Sequence, residues 1–354
     1  MNRLPFENLD DVREYTSSKI DENHHIIKAM YKNELVFFIG AGLSVHLGMP
    51  SWEEFASKYV EFISQKANIN NKTKNDLKHI TDKKKILSLC RFIAKKNNIS
   101  EEEVTKWFEV KDEYKEKLRN DSEIYNKLYD LNAIYITTNY DDALDLLATD
   151  SRDVMSRDKE FKNKLDNETK KVFYKVEDFN SDNIMKPGNI IHIHGSKNDL
   201  ESMVISNEDY INRYGYNVLS NIKGSLQDRY SKFLKDVFNG QYTILFIGYG
   251  LEEIEILQYM FENEFKHKQH VNRNNRYMLL GGYASDYGCI EILSQYYFDN
   301  YGINIIPYDI TEEGHDLKIY EIISKLYDLK NNRRVRLKND LEFLEGMLEN
   351  DEYQ

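Results

Sequence analysis

Short, continuously apolar runs alternate along this chain with longer stretches of mixed polarity. The first such run, Leu35–Ile39, is apolar at every position. A run of this kind is typical of a strand buried on both faces, as in a parallel sheet. Comparable runs predict further strands at 133–138, 189–194, 242–247, 276–280 and 303–308. Because helical periodicity fills the intervals, the pattern predicts an α/β fold with a Rossmann-like, doubly wound parallel sheet.

Local start signals and composition predict helices between these strands. Pro50 breaks the chain, and Ser51 followed by Glu54 forms a capping-box pattern, which predicts a helix to about residue 65. The stretch 66–130 is rich in Lys, Glu and Asn, and it contains no glycine or proline. Its apolar residues recur with helical spacing, so we expect a helical insertion at about 66–130.

The domain organisation follows from the positions of the strands. We expect one domain over residues 1–330, interrupted by the helical insertion and by a variable loop at about 150–188, where charged residues dominate. Residues 331–354 are expected to form a C-terminal helical tail. The basic stretch 331–338 at its start is either a solvated helix face or a docking element.

The bulk composition limits the possible functions. Of 354 residues, 41% are hydrophobic and 31% are charged, which is an ordinary balance for a globular protein. The net charge of -12 argues against a broad basic surface, so direct nucleic-acid binding is not expected.

Cysteine content and apolar segments exclude further classes of protein. The two cysteines, Cys90 and Cys289, are too few for a four-cysteine zinc site and do not suggest a disulfide framework, and no metal is expected. The N-terminus lacks a signal-peptide pattern, and no apolar run approaches the roughly 18 residues that span a bilayer. These features predict a cytoplasmic protein that does not bind membranes.

Four of the predicted strands end in chemically unusual sequences. They are Gly40-Ala41-Gly42-Leu43-Ser44, Thr138-Asn139-Tyr140-Asp141, His194-Gly195 and Gly248-Tyr249-Gly250. Ligands of doubly wound sheets bind beyond the carboxyl ends of the strands, so these four ends are expected to converge on one crevice. Taken alone, the turn at 40–44, followed by a helix-like pattern, predicts either a phosphate site at a helix start or a tight turn without a ligand.

In this order and context, the four motifs resemble those of the sirtuin-like family, and within it the bacterial defence-associated proteins that hydrolyse NAD. The likeness covers about residues 33–310. It implies a Rossmann-like domain that binds NAD, with chemistry at the bond between nicotinamide and ribose. The resemblance matches Asn139 to the residue that orients the ribose or the attacking water, and His194 to the catalytic histidine. The residues matched to NAD binding are Gly40, Ala41, Gly42, Ser44, Asp141, Gly248, Tyr249 and Gly250.

Each polar residue of this set also has a structural interpretation. Asn139 is a favoured helix N-cap, and Asp141 either binds ribose or water or favours the start of the following helix. His194 either accepts a proton from a ribose hydroxyl or water, or is satisfied by the backbone. Glu252 and Glu253 either favour the start of the next helix or contact a ribose hydroxyl.

Two departures from protein deacetylase sirtuins bear on the reaction. The Gly-Ile-Pro-Asp-Phe-Arg segment of deacetylases is replaced by Gly48-Met49-Pro50-Ser51-Trp52-Glu53, and two cysteines cannot form their zinc module. Water is therefore the expected acceptor, which predicts an NAD glycohydrolase that produces nicotinamide and ADP-ribose. A protein deacylase and a non-catalytic NAD or ADP-ribose sensor or scaffold remain the alternatives.

Partners are expected because unrestrained NAD hydrolysis would kill the host cell. The resemblance implies a gated effector of bacterial antiphage defence that forms a homo-oligomer. It also implies activation by a HerA-like ATPase or another sensor partner.

Overall fold

The computed structural model describes residue 20 and residues 25–118, 123–148, 171–214, 226–266, 275–282, 287–310 and 318–332. Seven parallel strands form one sheet in the order β3-β4-β2-β1-β5-β6-β7. The strands are β1 Leu35–Ile39, β2 Ile134–Thr137, β3 Val172–Phe173, β4 Ile190–His192, β5 Thr243–Ile247, β6 Arg276–Gly282 and β7 Ile303–Asp309. The predicted α/β architecture with a parallel sheet is confirmed.

Strand β1 lies at the point where the chain reverses its direction across the sheet. It pairs with β2 on one side and with β5 on the other. In a doubly wound sheet, such a switch point opens a crevice at the carboxyl ends of the two strands. The strands that carry the four motifs are consecutive neighbours in the sheet, in the order β4-β2-β1-β5, so their carboxyl ends meet at this crevice.

Helices cover both faces of the sheet. They are α1 His25–Tyr31, α2 Trp52–Lys66, α3 Asn71–Lys78, α4 Lys83–Lys96, α5 Glu102–Thr105, α6 Asp112–Leu118, α7 Ile124–Asp130, α8 143–148, α9 Ser181–Ile184, α10 Asn207–Tyr214, α11 Leu226–Asn239, α12 Ile254–Lys266, α13 Tyr287–Tyr301 and α14 318–332. Alternate residues of β1 supply the two cores, because successive strand side chains point to opposite faces. Phe37 and Ile39 join one apolar cluster, and Val36 and Phe38 join the other.

A third apolar cluster lies beyond the carboxyl ends of the strands. It joins Phe55 of α2 and Leu87 of α4 to Phe108 and Tyr140. Helices α4 and α5 of the stretch 66–130 therefore pack over the end of the sheet where the motifs converge, whereas Leu118 of α6 and Leu128 of α7 belong to the first cluster. The capping box predicted for α2 is present, since Ser51 Oγ accepts from Glu54 N at 3.2 Å and Glu54 Oε2 accepts from Ser51 N at 2.8 Å.

The helix expected directly after the turn at 40–44 is absent. Two single 3-10 turns, Ala41–Leu43 and Val45–Leu47, follow the turn instead, and α2 begins only at Trp52. Gly48 adopts a left-handed φ of 74° and Pro50 follows, which ends the helical geometry before a full turn can propagate. No helix N-terminus therefore lies at this turn to hold a phosphate.

Strand β3 was not predicted. Its two residues fall within the stretch 150–188 that was expected to be a loop, and a strand of this length leaves almost no periodic pattern. The part of that expected loop before residue 171 lies outside the described residues, as does the expected tail beyond residue 332. None of the described helices is long and apolar enough to cross a membrane.

Candidate active site

A cavity of about 370 Å³ opens at the carboxyl ends of β4, β2, β1 and β5. The predicted site residues that line it are Ala41, Ser44, Asn139, Asp141, His194, Gly248, Tyr249 and Gly250. Aromatic side chains of α2 and the third cluster, including Trp52 and Phe108, form part of its wall. The structure thus brings the four motifs to one cavity.

Gly40 and Gly42 do not line the cavity. They pack against the turn after β5, where Gly42 N donates to Gly248 O at 2.9 Å. A Cβ on Gly40 would lie 2.5 Å from Gly248 O, and a Cβ on Gly248, which has a φ of 62°, would lie 2.4 Å from Leu43 N. These glycines are required because the turn after β1 touches the turn after β5. The sequence instead predicted a close approach of the glycines to a ligand.

Hydrogen bonds fix the side-chain amide of Asn139 in one orientation. Asn139 Nδ2 donates to Gly40 O at 3.1 Å and to Ser44 Oγ at 2.9 Å. The carbonyl of Gly40 is only an acceptor, so the NH₂ group must face it. Asn139 Oδ1 is then left buried without a hydrogen-bond partner among the described residues. The residue is not a helix N-cap, because α8 starts after Asp142, whose carbonyl accepts from Leu146 N at 2.9 Å.

Ser44 supports this orientation with its full hydrogen-bonding capacity. Its hydroxyl donates to Asp141 Oδ2 at 2.8 Å, accepts from Asn139 Nδ2, and lies 2.6 Å from the hydroxyl of Tyr125. With its one hydrogen given to Asp141, Ser44 accepts from Asn139 and Tyr125. The hydroxyl is therefore saturated by protein groups, and the predicted contact of Ser44 with a ligand stays a prediction.

Asp141 combines two roles. It accepts from Ser44 through Oδ2, and its Oδ1 accepts from Ala143 N at 3.1 Å at the start of α8. Burial raises the pKa of Asp141, and these two hydrogen bonds act against that rise. The structure thus shows the contribution to the helix start, and the carboxyl group also lines the cavity.

His192 holds the backbone of Asn139 from below. Its Nδ1 lies 2.9 Å from Asn139 O, and its Nε2 lies 2.9 Å from Asp145 Oδ1. Burial by itself lowers the pKa of His192, but the negative charges of Asp145 and Asp141 and the hydrogen bonds to Asp145 and Asn139 raise it to about 9. At neutral pH the ring is therefore protonated and donates from both nitrogens.

His194 follows β4 and lines the cavity at 2% exposure. Its Nε2 lies 2.6 Å from the hydroxyl of Tyr214, which in turn accepts from Tyr230 at 2.9 Å. The same nitrogen lies 3.2 Å from Glu253 Oε2. A histidine held by a hydroxyl chain and a carboxylate is equipped to hold or pass a proton.

Three buried polar atoms without a hydrogen-bond partner among the described residues belong to side chains that line the cavity. They are Asn139 Oδ1, the hydroxyl of Tyr249 and Glu253 Oε2. Burying such atoms unpaired is costly, so a ligand that supplies hydrogen-bond donors would relieve the cost. A ribose with free hydroxyl groups is such a ligand.

The cations at the cavity are already engaged. Lys84 Nζ lies 2.8 Å from Glu255 Oε1, and Lys83 Nζ lies 2.7 Å from Glu53 Oε1. Both lysines that line the cavity are thus already paired with carboxylates. The described residues contain no cluster of three or more His, Cys, Asp or Glu side chains suited to a metal ion.

Sequence reasoning missed Tyr125, Tyr214 and Asp145, although it expected His192 to be a packed or supporting residue. Tyr125 belongs to α7, 81 positions from Ser44, and nothing in its local sequence marks a contact over that separation. Glu253 did have a signal, because it lies three residues after Gly250, but its helix-start position offered a structural explanation as well.

Comparison with known protein families gives a match over the part of the chain that contains three of the four motifs. Residues 133–306 match the family model of the SIR2-like domain, a segment that contains Asn139, His194 and the turn at 248–250. No curated protein matches the chain. Members of the SIR2-like family are NAD-dependent enzymes. The match therefore supports a sirtuin-like family for this chain and NAD-related chemistry in general.

Proposed function

We propose that this protein is an NAD glycohydrolase that cleaves NAD with water to nicotinamide and ADP-ribose. The observation that carries the proposal is the orientation of Asn139, whose Oδ1 is an unpaired acceptor in the same cavity as His194. An acceptor fixed in this way can hold a water molecule or a ribose hydroxyl without reorganising during the reaction.

Cleavage of NAD needs little covalent chemistry from the protein. The bond between C1′ and the pyridinium nitrogen breaks, and its electron pair neutralises the charge of nicotinamide. The ribose then carries oxocarbenium-like positive charge, and a water molecule bonds to C1′ and loses a proton. Asn139 Oδ1 positions that water, and His194 accepts the proton, so that NAD⁺ and water give nicotinamide, ADP-ribose and a proton.

The covered side of the cavity supports water as the acceptor. Helix α2, the start of α4 and Phe108 wall the side of the cavity away from the sheet. Such a wall holds the ribose in a fixed position and limits the access of competing nucleophiles.

We further propose that the enzyme is a gated, cytoplasmic effector of bacterial antiphage defence. The likeness of its four motifs to defence-associated sirtuin-like proteins supports this role. On the same grounds we propose a homo-oligomer that works with a HerA-like ATPase or another sensor partner. Measurement of the assembly by light scattering, with and without a candidate partner, tests this proposal, and a monomer in both cases would contradict it.

The test of the reaction is release of nicotinamide from NAD by the purified protein, followed by chromatography. We expect turnover without any peptide, and its loss in Asn139→Ala and His194→Ala at unchanged circular dichroism. Turnover that requires an acyl-peptide would support a deacylase instead. Tight NAD binding without turnover, also in the presence of a candidate partner, would support a sensor or scaffold.

A further inference from the structure

Glu253 lies where the chain returns from β5 over the cavity. The turn before it contains Gly248 with a φ of 62° and Leu251 with a φ of 53°. A left-handed backbone at a residue such as leucine is uncommon, and it persists where the surrounding structure demands it. This geometry brings Glu253 back to the rim of the site, close to His194.

The backbone of Glu253 starts helix α12, but its side chain does not cap the helix. Its carbonyl oxygen accepts from Ile256 N and Leu257 N at 3.0 Å each. Glu253 Oε2 has no hydrogen-bond partner among the described residues. A negative charge at a helix start is favourable in itself, but this effect does not require the carboxylate to lie beside His194.

The carboxylate instead faces the reaction machinery. Glu253 Oε2 is buried, lacks a hydrogen-bond partner among the described residues and lies 3.2 Å from His194 Nε2. Its negative charge also contributes to the raised pKa of Tyr249, whose burial is the larger cause. Apart from this ion-pair contact with His194, the buried oxygen keeps free acceptor capacity at the cavity, which a ligand hydroxyl would satisfy.

We propose that Glu253 is a further catalytic residue, whose carboxylate contacts the nicotinamide ribose of the substrate. This inference rests on the proposed NAD glycohydrolase activity. Glu253 Oε2 accepts a hydrogen bond from a ribose hydroxyl, and its charge stabilises the positive charge that develops on the ribose.

The proton balance of the step includes Glu253. As the C1′–N bond breaks, its electron pair goes to the nicotinamide nitrogen, and the water oxygen bonds to C1′. The proton lost by the water is taken up by the pair His194–Glu253 and then released to solvent. A second consequence concerns specificity. The negative charge of the carboxylate favours NAD, whose pyridinium ring is cationic, over nicotinamide, the neutral product.

The test measures binding and turnover separately. The binding probe is carba-NAD, an analogue whose carbocycle in place of the ribose ring prevents hydrolysis while keeping the hydroxyl groups and the pyridinium charge. Glu253→Gln is compared with wild type and with Glu208→Gln, which makes the same change at an exposed position of α10 outside the cavity. Glu253→Asp, which keeps the charge on a shorter side chain, serves if Glu253→Gln does not fold.

We expect calorimetry to show carba-NAD binding at least about tenfold weaker in Glu253→Gln than in wild type, and unchanged in Glu208→Gln. With NAD, kcat should fall about 100-fold in Glu253→Gln while KM changes less. Equal binding and turnover in all three proteins would overturn the role of Glu253 and leave the glycohydrolase intact. Absence of both carba-NAD binding and NAD turnover in wild type, with and without a candidate partner, would overturn both.

Discussion

The imidazole Nδ1 of His192 lies 2.9 Å from the backbone carbonyl oxygen of Asn139. Because the ring is protonated, this contact is a charge-assisted hydrogen bond, and Asp145 Oδ1 at 2.9 Å from Nε2 holds the ring in place. Asn139 is thus fixed twice, through its backbone by His192 and through its amide by Ser44 and Gly40. A residue held at both ends is preorganised for positioning a reactant.

His192 should make the stability of the fold depend on pH. Its pKa in the folded protein is about 9, against about 6.5 in an unfolded chain. The stabilisation is therefore fully present below about pH 6.5 and is lost as the pH rises through about 9, and its size is roughly 3 kcal/mol. We expect the difference in unfolding free energy between wild type and His192→Gln, measured with urea, to shrink by about that amount over this range.

The exposed His79 provides the control for this measurement. His79→Gln makes the same substitution at the surface, and its difference from wild type in unfolding free energy is measured over the same pH range. A difference for His192→Gln that changes with pH no more than that for His79→Gln would show that His192 is not held in its protonated form.

Two serines should separate activity from stability. Ser44→Ala removes the acceptor for Asn139 Nδ2 and the donor to Asp141, so the amide loses its fixed orientation. We expect kcat for NAD to fall about 100-fold with little change in KM. Ser51→Ala removes only the cap of α2, so it should cost about 1 kcal/mol of unfolding free energy and leave kcat unchanged. Equal activity of the two variants would argue against support of Asn139 by Ser44.

Two glycines should respond oppositely to a methyl group. Gly248→Ala would place a Cβ 2.4 Å from Leu43 N at a φ of 62°, so we expect a loss of more than about 2 kcal/mol in unfolding free energy. Gly288 lies in α13 and a Cβ there meets nothing within 4 Å, so Gly288→Ala should stabilise the protein by about 0.5 kcal/mol. Urea denaturation measures both, and a tolerated Gly248→Ala would contradict the tight contact of the two turns.

The two cysteines should differ in reactivity. Burial raises the pKa of the Cys90 thiol to about 12, while Cys289 is exposed. Since the thiolate is the reactive form, a thiol reagent should label one cysteine in the native protein and both after denaturation. Cys289→Ser should abolish native labelling, and rapid labelling of that variant would show that Cys90 is accessible.

The sequence predicted those parts of the protein that depend on local pattern. Buried strands such as Leu35–Ile39 are visible as apolar runs, and parallel topology brings the ends of such strands together. These two facts predict that Asn139 and His194 share one crevice, and both residues do line the cavity. The prediction of a helix directly after the turn at 40–44 was wrong, because the backbone contact with Gly248 and the left-handed conformation of Gly48 determine the shape of that segment. Neither effect has a periodic signature.

Contacts between residues far apart in the sequence could not be predicted, for a different reason. Tyr125 meets Ser44 only after α7 packs onto the sheet, and any of the many tyrosines of the chain would fit the local pattern equally well. Likewise, an acidic residue at a helix start is expected with or without a catalytic role. The structure distinguishes Glu253 by its contact with His194 and by a buried Oε2 that lacks a hydrogen-bond partner among the described residues.

The bond between Tyr125 and Ser44 has a mechanical consequence. At 2.6 Å it joins helix α7 to the hydroxyl that orients Asn139, and a displacement of the helix by about 1 Å would carry it beyond hydrogen-bond length. The position of α7 and the orientation of the Asn139 amide are thus coupled through Ser44. A force applied to the outer surface of that helix would therefore change the orientation of the Asn139 amide.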